Sequence, residues 1–295
     1  GTWEFCFDDY NVGHKEKWFV KHDFDKKIEV PFSFETKLSG IHDTTYHDHV
    51  WYHKKLKDIK LSDNHLFILH FEGVDYYSEV YINGYLIKDH YGSNAGFQVD
   101  ITNYLVEGEN DLVVYCFDPS KDRSIPRGKQ DWELEGHAIW YTRTTGIYKS
   151  VWLEQVDKKY IKNFFVRTKL DRYCISYDVE FSEPNGTLEI IVYDGNDSVK
   201  NSFKVTKKKN TYEFCLPNDF VNDRIWTLQR PFLFDINLIL KDDYGNVVDK
   251  VNSYLGIREV KTENGKVLLN GLPIYQKLVL NQGYYVDGNL TAPTV

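Results

Sequence analysis

Apolar and polar residues alternate along most of this 295-residue chain. "HLFILHFEGV" (His65–Val74) and "SEVYINGYLIKDHYG" (Ser78–Gly92) carry the period of strands with one buried face. The second folds at Asn83-Gly84, a pair suited to a tight hairpin because both residues tolerate positive φ. "NDLVVYCFD" (Asn110–Asp118) and "KSVWLEQV" (Lys149–Val156) read the same way. Helical periodicity is scarce. "DITNYL" (Asp100–Leu105) predicts one short turn, with Asp100 or Thr102 as its cap. Residues 1–156 therefore predict an all-β domain with long connecting loops.

Seven further strand-like runs follow at regular spacing: "NFFVRTKL", "CISYDVEFS", "TLEIIVYDG", "NSFKVT", "TYEFCLP", "LFDINLILKD" and "VVDKVNSYLGIREV". Pro184-Asn185-Gly186, Asp194-Gly195-Asn196 and Tyr244-Gly245-Asn246 punctuate them as turns. Seven short strands in about a hundred residues predict an immunoglobulin-like β-sandwich over 157–259, joined by a short linker at Asp157-Lys158-Lys159. From residue 260 the pattern changes. Asn264-Gly265 and Asn270-Gly271 predict tight turns, and Leu278–Leu280 reads as a buried strand.

Composition narrows the function. The net charge is −8 with both signs interspersed, so nucleic acid is not an expected partner, since phosphate contacts need a clustered positive face. Lys207-Lys208-Lys209 is short for a polybasic patch and reads as a solvated turn. No apolar run approaches the roughly 18 residues of a membrane span, and the first residues show no signal-peptide pattern. Cys6, Cys116, Cys174 and Cys215 lie in strand-like stretches without metal spacing, as small hydrophobes. That usage predicts a reducing compartment, the cytoplasm.

Candidate chemistry is sparse. "GSNAG" (Gly92–Gly96) lacks the serine placement of a nucleophile elbow, and no phosphate-cradling glycine motif is present. His47, His49 and His53 share one face of an extended chain, with His42 nearby. No ligand set is completed around them, so they read as polar strand residues and no metal or cofactor is predicted. In "QDWELEG", Asp131, Glu133 and Glu135 point the same way and ~7 Å apart. Catalytic pairs face each other across a substrate, so a solvated loop is expected. The richest stretch is Pro126–Glu154, which holds Arg127, Lys129, Gln130, Trp132, His137, Trp140, Tyr141 and Arg143. Such residues can stack on sugar rings and bind hydroxyls, or they can pack a loop on its own aromatics.

Several segments together resemble glycoside hydrolase family 2, the family of β-galactosidases, β-glucuronidases and β-mannosidases. They are "VPFSFETKLSGI" (Val30–Ile41), "VWYHKKL" (Val50–Leu56), the run Leu69–Asp118, and "RTTGIYKSVWLE" (Arg143–Glu154), with Tyr148 where Trp is common. "WTLQRPFLFDINLIL" (Trp226–Leu240) and "SYLGIREV…VLLNGLPIYQKLVLNQG" complete the set, with Leu228 and Arg230 departing from the usual residues. The resemblance runs through the whole chain. It implies a jelly-roll (galactose-binding-like) β-sandwich over 1–156, an immunoglobulin-like sandwich over 157–259, and the opening of a (β/α)8 barrel over 260–295.

A barrel needs about 250 residues, and the family's two catalytic glutamates lie on later barrel strands. No residue here is therefore assigned a catalytic role. The implied function is that of accessory domains of a retaining β-glycosidase that hydrolyses O-glycosyl bonds. The alternatives are a stand-alone carbohydrate-binding module or a structural scaffold for a partner. A carbohydrate is the expected ligand, and homo-oligomerisation is left open. Arg127, Gln130, Trp132, Trp140, Tyr141 and Arg143 of the loop, with Asn281 and Gln282 at the end of the first barrel strand, are the implied substrate-binding residues.

Overall fold

The computed structural model describes residues 1–195 and 197–294. Contacts divide the chain into two compact units, one of residues 1–155 together with those from 280 onward, the other Val156–Val279. The protein is all-β, with helix confined to single short turns.

The first unit begins with β1 (Thr2–Phe7), β2 (Lys26–Glu29), β3 (His49–Ile59), β4 (His65–Phe71), β5 (Val74–Asp75) and β6 (Tyr77–Ile82). It continues with β7 (Tyr85–Tyr91), β8 (Phe97–Asp100), β9 (Gly108–Phe117), β10 (Gly146–Ile147) and β11 (Val151–Asp157). A six-stranded sheet in the order β2-β1-β3-β9-β6-β7 faces the smaller sheets β11-β4-β8 and β10-β5, the jelly-roll sandwich that the sequence predicts. Between them lies a core built on Phe5, Phe34, Tyr52, Leu69, Phe71, Val80 and Val114. The outer face of the large sheet is also covered. Trp51, the neighbour of Tyr52, points the other way and packs with Trp18, Tyr81 and Tyr115. Burial on both faces explains why "VWY" in β3 is continuously apolar or aromatic rather than alternating. Asn83 (φ 51°) and Gly84 (φ 84°) make the hairpin turn between β6 and β7. Thr102–Tyr104 forms the predicted short turn as a 3-10 helix, and Asp100 Oδ1 accepts from the Thr102 amide (3.0 Å) and hydroxyl (2.6 Å).

The second unit contains β12 (Ile161–Lys169), β13 (Cys174–Phe181), β14 (Thr187–Tyr193), β15 (Ser198–Lys204), β16 (Lys209–Cys215), β17 (Phe234–Lys241) and β18 (Val247–Leu255). These are the seven predicted strands, in sheets ordered β12-β13-β16 and β15-β14-β17-β18. Ile175, Tyr177, Leu188, Ile190, Phe234, Ile236 and Leu238 fill the space between them. Of the turn at Asp194-Gly195-Asn196, the third residue lies outside the described residues. β19 (Val260–Glu263), β20 (Lys266–Leu269) and β21 (Leu272–Pro273) add a small meander. Its turns are the predicted Asn-Gly pairs, all four residues at positive φ.

Two expectations are corrected here. Cys174 and Cys215 are not free hydrophobes. They sit opposite each other on β13 and β16 and are joined by a disulfide, while Cys6 and Cys116 are free and buried. Leu278–Leu280 forms no strand. No strand pairs with it among the described residues, and the three residues are 79, 91 and 85% exposed.

Candidate functional site

The long connection from β9 to β10, residues 118–145, is built around buried polar groups. Gln130 donates from Nε2 to Asp75 Oδ2 (2.5 Å) and accepts from the Thr144 amide (2.7 Å). Thr145 Oγ1 donates to Asp118 Oδ2 (2.8 Å). Arg143 is 1% exposed. Its guanidinium donates to the carbonyls of Glu133 (2.9 Å), Thr44 (2.5 Å) and Thr45 (3.3 Å) and lies 4.5 Å from the centre of the Tyr46 ring. A fork of donors satisfied by three backbone carbonyls ties the loop to the segment before β3. The backbone closes on itself as well, with the Asp131 amide donating to Tyr141 O (2.8 Å) and the Tyr141 amide to Lys129 O (2.9 Å). Gly146, which ends the loop, has φ 80°, and a Cβ there would lie 2.3 Å from the Tyr52 hydroxyl. Only glycine meets both conditions.

The carboxylates in this region divide into two kinds. Asp131 is fully buried, which corrects the expectation of a solvated side chain. Burial works against its ionisation, but the amides of Glu133 and His137 and the His137 ring outweigh it and hold the carboxyl below its usual value. It therefore shapes the loop as a cap. Glu35, Asp75 and Asp118 lie beneath. Burial pushes Glu35 up to about 7 and Asp118 up to about 6, and raises Asp75 well above its ordinary value, with the neighbouring Asp118 adding to the effect. Sealed from solvent, these acids cannot protonate a leaving group or activate water.

The loop's outer face is aromatic, with Trp132 and Trp140 half-buried and Tyr141 exposed. Trp132 and Trp140 pack at 5.2 Å with planes 60° apart, and the Arg123 guanidinium covers Trp132 at 4.4 Å. Tyr141 stacks on Tyr284 (3.9 Å, 12°) and donates its hydroxyl to Gln282 Oε1 (2.9 Å). Tyr284 carries no signal of its own in the sequence, where it is one of two adjacent tyrosines after Gly283. Asn289 Nδ2 donates to Arg143 O (2.9 Å), and Thr291 Oγ1 donates to the carbonyls of Tyr148 and Pro31. The segment 284–291 is thus fastened to the jelly roll.

Of the eight expected binding residues, Trp132, Trp140, Tyr141 and Gln282 are placed along this surface. Gln130 and Arg143 use their polar atoms inside the domain. Arg127 holds its own loop, donating to Pro119 O and Asp122 O (2.8 Å each). Asn281 is exposed and accepts from the Gly283 amide. The strand histidines take separate partners: His47 has Asp9, His49 has Tyr115, and His53 has Glu4 and Asp111. Among the described residues no group of three His, Cys, Asp or Glu side chains could hold a metal ion.

Comparison with known proteins gives this geometry a context. The family profile described as "Glycosyl hydrolases family 2, sugar binding domain" matches residues 1–157, and "Glycosyl hydrolases family 2" matches residues 159–258. A protein of Formosa agariphila named putative beta-glucuronidase is 29% identical over 75% of this chain and 26% of its own length. A beta-glucuronidase of Paenibacillus borealis is 24% identical over 94% of this chain and 48% of its own. The crystal structure of Ruminococcus gnavus beta-glucuronidase aligns with a TM-score of 0.78 at 22% identity, covering 99% of this chain and 50% of that one. The chain spans about half the length, or less, of these proteins.

Proposed function

The chain belongs to glycosyl hydrolases family 2, and from that premise we propose that it forms the sugar-binding and sandwich portion of a retaining β-glycosidase acting on O-glycosyl bonds. The observation that carries the proposal is the succession of the two family domains along the chain, with one loop of the first presenting Trp132, Trp140 and Tyr141. The proposed role of that surface is to line a sugar site, with Gln282 and Asn281 from the following segment. Gln130, Arg143 and Arg127 hold the loop in shape and do not touch sugar. Indole and phenol rings offer flat apolar faces to a pyranose, and the amides offer donors and acceptors to its hydroxyls. The acids that protonate the glycosidic oxygen and attack the anomeric carbon are proposed to lie outside these 295 residues. Exposed Leu278–Leu280 is proposed to be a strand that a barrel would cover.

The test has two arms. The pure chain is offered aryl β-galactosides and aryl β-glucuronides. No turnover above a mock preparation is expected, and clear turnover refutes the assignment. The coding sequence beyond Val295 is then expressed with the chain, and Trp140→Ala is expected to lower kcat/KM by more than about threefold, or ~0.7 kcal/mol. A smaller loss makes the loop scaffold. A cytoplasmic location is proposed only together with reduced Cys174 and Cys215 in the cell, which alkylation of thiols before lysis checks directly.

A further inference from the structure

A second cleft lies on the first unit, away from the 118–145 loop. It is a shallow, open depression of ≈590 Å³ on the solvent face of the sheet β11-β4-β8, lined by His70, Glu72, Gly96, Gln98, Lys149 and Trp152 among others. Trp152, on β11, forms one side of it. The indole lies parallel to the His70 ring (4.7 Å, 3°), and the residue is still 42% exposed. His70 Nε2 is fixed by Glu154 Oε2 at 2.9 Å, so the platform beneath the indole is held from its far side. Gly96 sets the floor, because a Cβ there would come within 3.1 Å of Phe71 O and 3.4 Å of Glu72 Cα. The glycine lets the approach to β8 lie against the end of β4. Around the indole stand an amide (Gln98), a carboxylate (Glu72) and an ammonium group (Lys149). Among the described residues none of these three side chains has a hydrogen bond or ion pair, and the Lys149 ammonium lies 5.6 Å from the centre of the Tyr148 ring.

We propose that this cleft is a non-catalytic binding site for a neutral hexopyranose unit of a glycan chain, with Trp152 as the stacking platform. A flat apolar ring flanked by uncommitted donors and acceptors matches a pyranose, which presents C–H groups on one face and hydroxyls around its edge. The openness of the cleft suits an internal residue of a chain. The lining charges give a uronate no net attraction, since the Glu72 carboxylate offsets the Lys149 ammonium. The site uses no residue of the loop described above, and it stands or falls independently of the catalytic reading.

The experiment is calorimetric titration of the full 295-residue chain with three probes: β-1,4-linked glucohexaose, β-1,4-linked galactohexaose and α-1,4-linked hexagalacturonate. Binding of at least one neutral probe is expected, weakened about tenfold or more by Trp152→Ala and by the exposed-residue variant Gln98→Ala. Trp140→Ala is measured alongside, and Leu86→Ala, an exposed position on β7 of the other sheet, is expected to leave the binding unchanged. Two variants guard against misfolding, since Gln98→Ala removes no packed ring, and the melting temperature of each is measured alongside. Absence of binding to both neutral probes at about 10 mM overturns the proposal, as does binding that survives both substitutions. Preference for the hexagalacturonate overturns the assignment to a neutral sugar. Loss on Trp140→Ala alone moves the site to the loop.

Discussion

Replacing Glu35 by Gln should flatten the pH dependence of the first unit's stability. Glu35 is fully enclosed, and neither carboxyl oxygen has a hydrogen-bond partner of normal geometry. Burial raises its pKa from the ordinary 4.5 to about 7, against weaker opposing effects of its own backbone, the Ser33 and Thr145 hydroxyls and the Arg143 guanidinium. The folded state therefore holds a proton that the unfolded state releases between those two values. Stability from this group is present in full below pH 4.5, falls as pH rises, and is lost above about 7. The loss amounts to roughly 3 kcal/mol, the free energy of a shift of that size. A glutamine cannot ionise, so the variant lacks this loss at every pH. It starts from a lower stability, because its amide hydrogens enter the same unpartnered space. The informative quantity is thus the slope and not the level. Urea unfolding at pH 5 and pH 8, followed by tryptophan fluorescence, measures it, since all the tryptophans except Trp226 lie in the first unit. The parent should lose roughly 2.5 kcal/mol more than Glu35→Gln between these conditions, part of the full loss having already occurred by pH 5. Parallel pH profiles within about 0.5 kcal/mol would show that Glu35 is not protonated in the folded protein, and the account of the loop's foundation would fail.

Arg143→Lys should cost the first unit about 2–4 kcal/mol, because an ammonium cannot reach three carbonyls arranged for a planar fork; a thermal midpoint unchanged within a degree or so would contradict it. Without reductant the unfolded chain should show the two thiols of Cys6 and Cys116, and reduction should reveal all four. Cys174→Ser should destabilise the second unit by up to about 4 kcal/mol, the chain-entropy value for a separation of 41 residues; four thiols before reduction would remove the bond from the description. Tyr284→Ala should speed hydrogen exchange at the amides of Asn289 and Thr291, and exchange as in the parent would show that the stack with Tyr141 does not hold the segment.

The strands were legible because their signal is local. Alternation marked every strand of the immunoglobulin-like sandwich, and each Asn-Gly pair named its own turn. The disulfide was not legible, because Cys174 and Cys215 meet only through the register of β13 on β16, a relation between two strands that neither strand carries. The loop 118–145 shows the same division. Its density in aromatic and hydrogen-bonding residues announced a site or a packed plug, and its residue types alone could not say which side chains face inward. Arg143 and Gln130 look like ligand-binding groups in the sequence. Their role became visible only with their partners, which lie 99 and 55 residues away. Asp131 was read as solvated because residues two apart on a strand share a face, but the segment is not a strand, so that geometry did not apply.

The loop's buried and exposed groups depend on each other. An irregular backbone of this length carries many amides and carbonyls that no sheet ladder can satisfy, and an exposed aromatic surface adds no hydrogen bonds to hold it. The structure meets the need from below. Gln130 joins the loop to Asp75 on β5, Thr145 joins it to Asp118 at the end of β9, and Arg143 joins it to the chain ahead of β3. With the loop tied to β5, to the chain ahead of β3 and across its own two ends, Trp132, Trp140 and Tyr141 can remain at the surface without being required for its shape. Substituting the inner set should therefore lower stability and ligand affinity together, whereas substituting the outer set should lower affinity with the melting temperature nearly unchanged. A Trp140→Ala variant that melts many degrees below the parent would place that ring among the supports and withdraw it from the proposed sugar site.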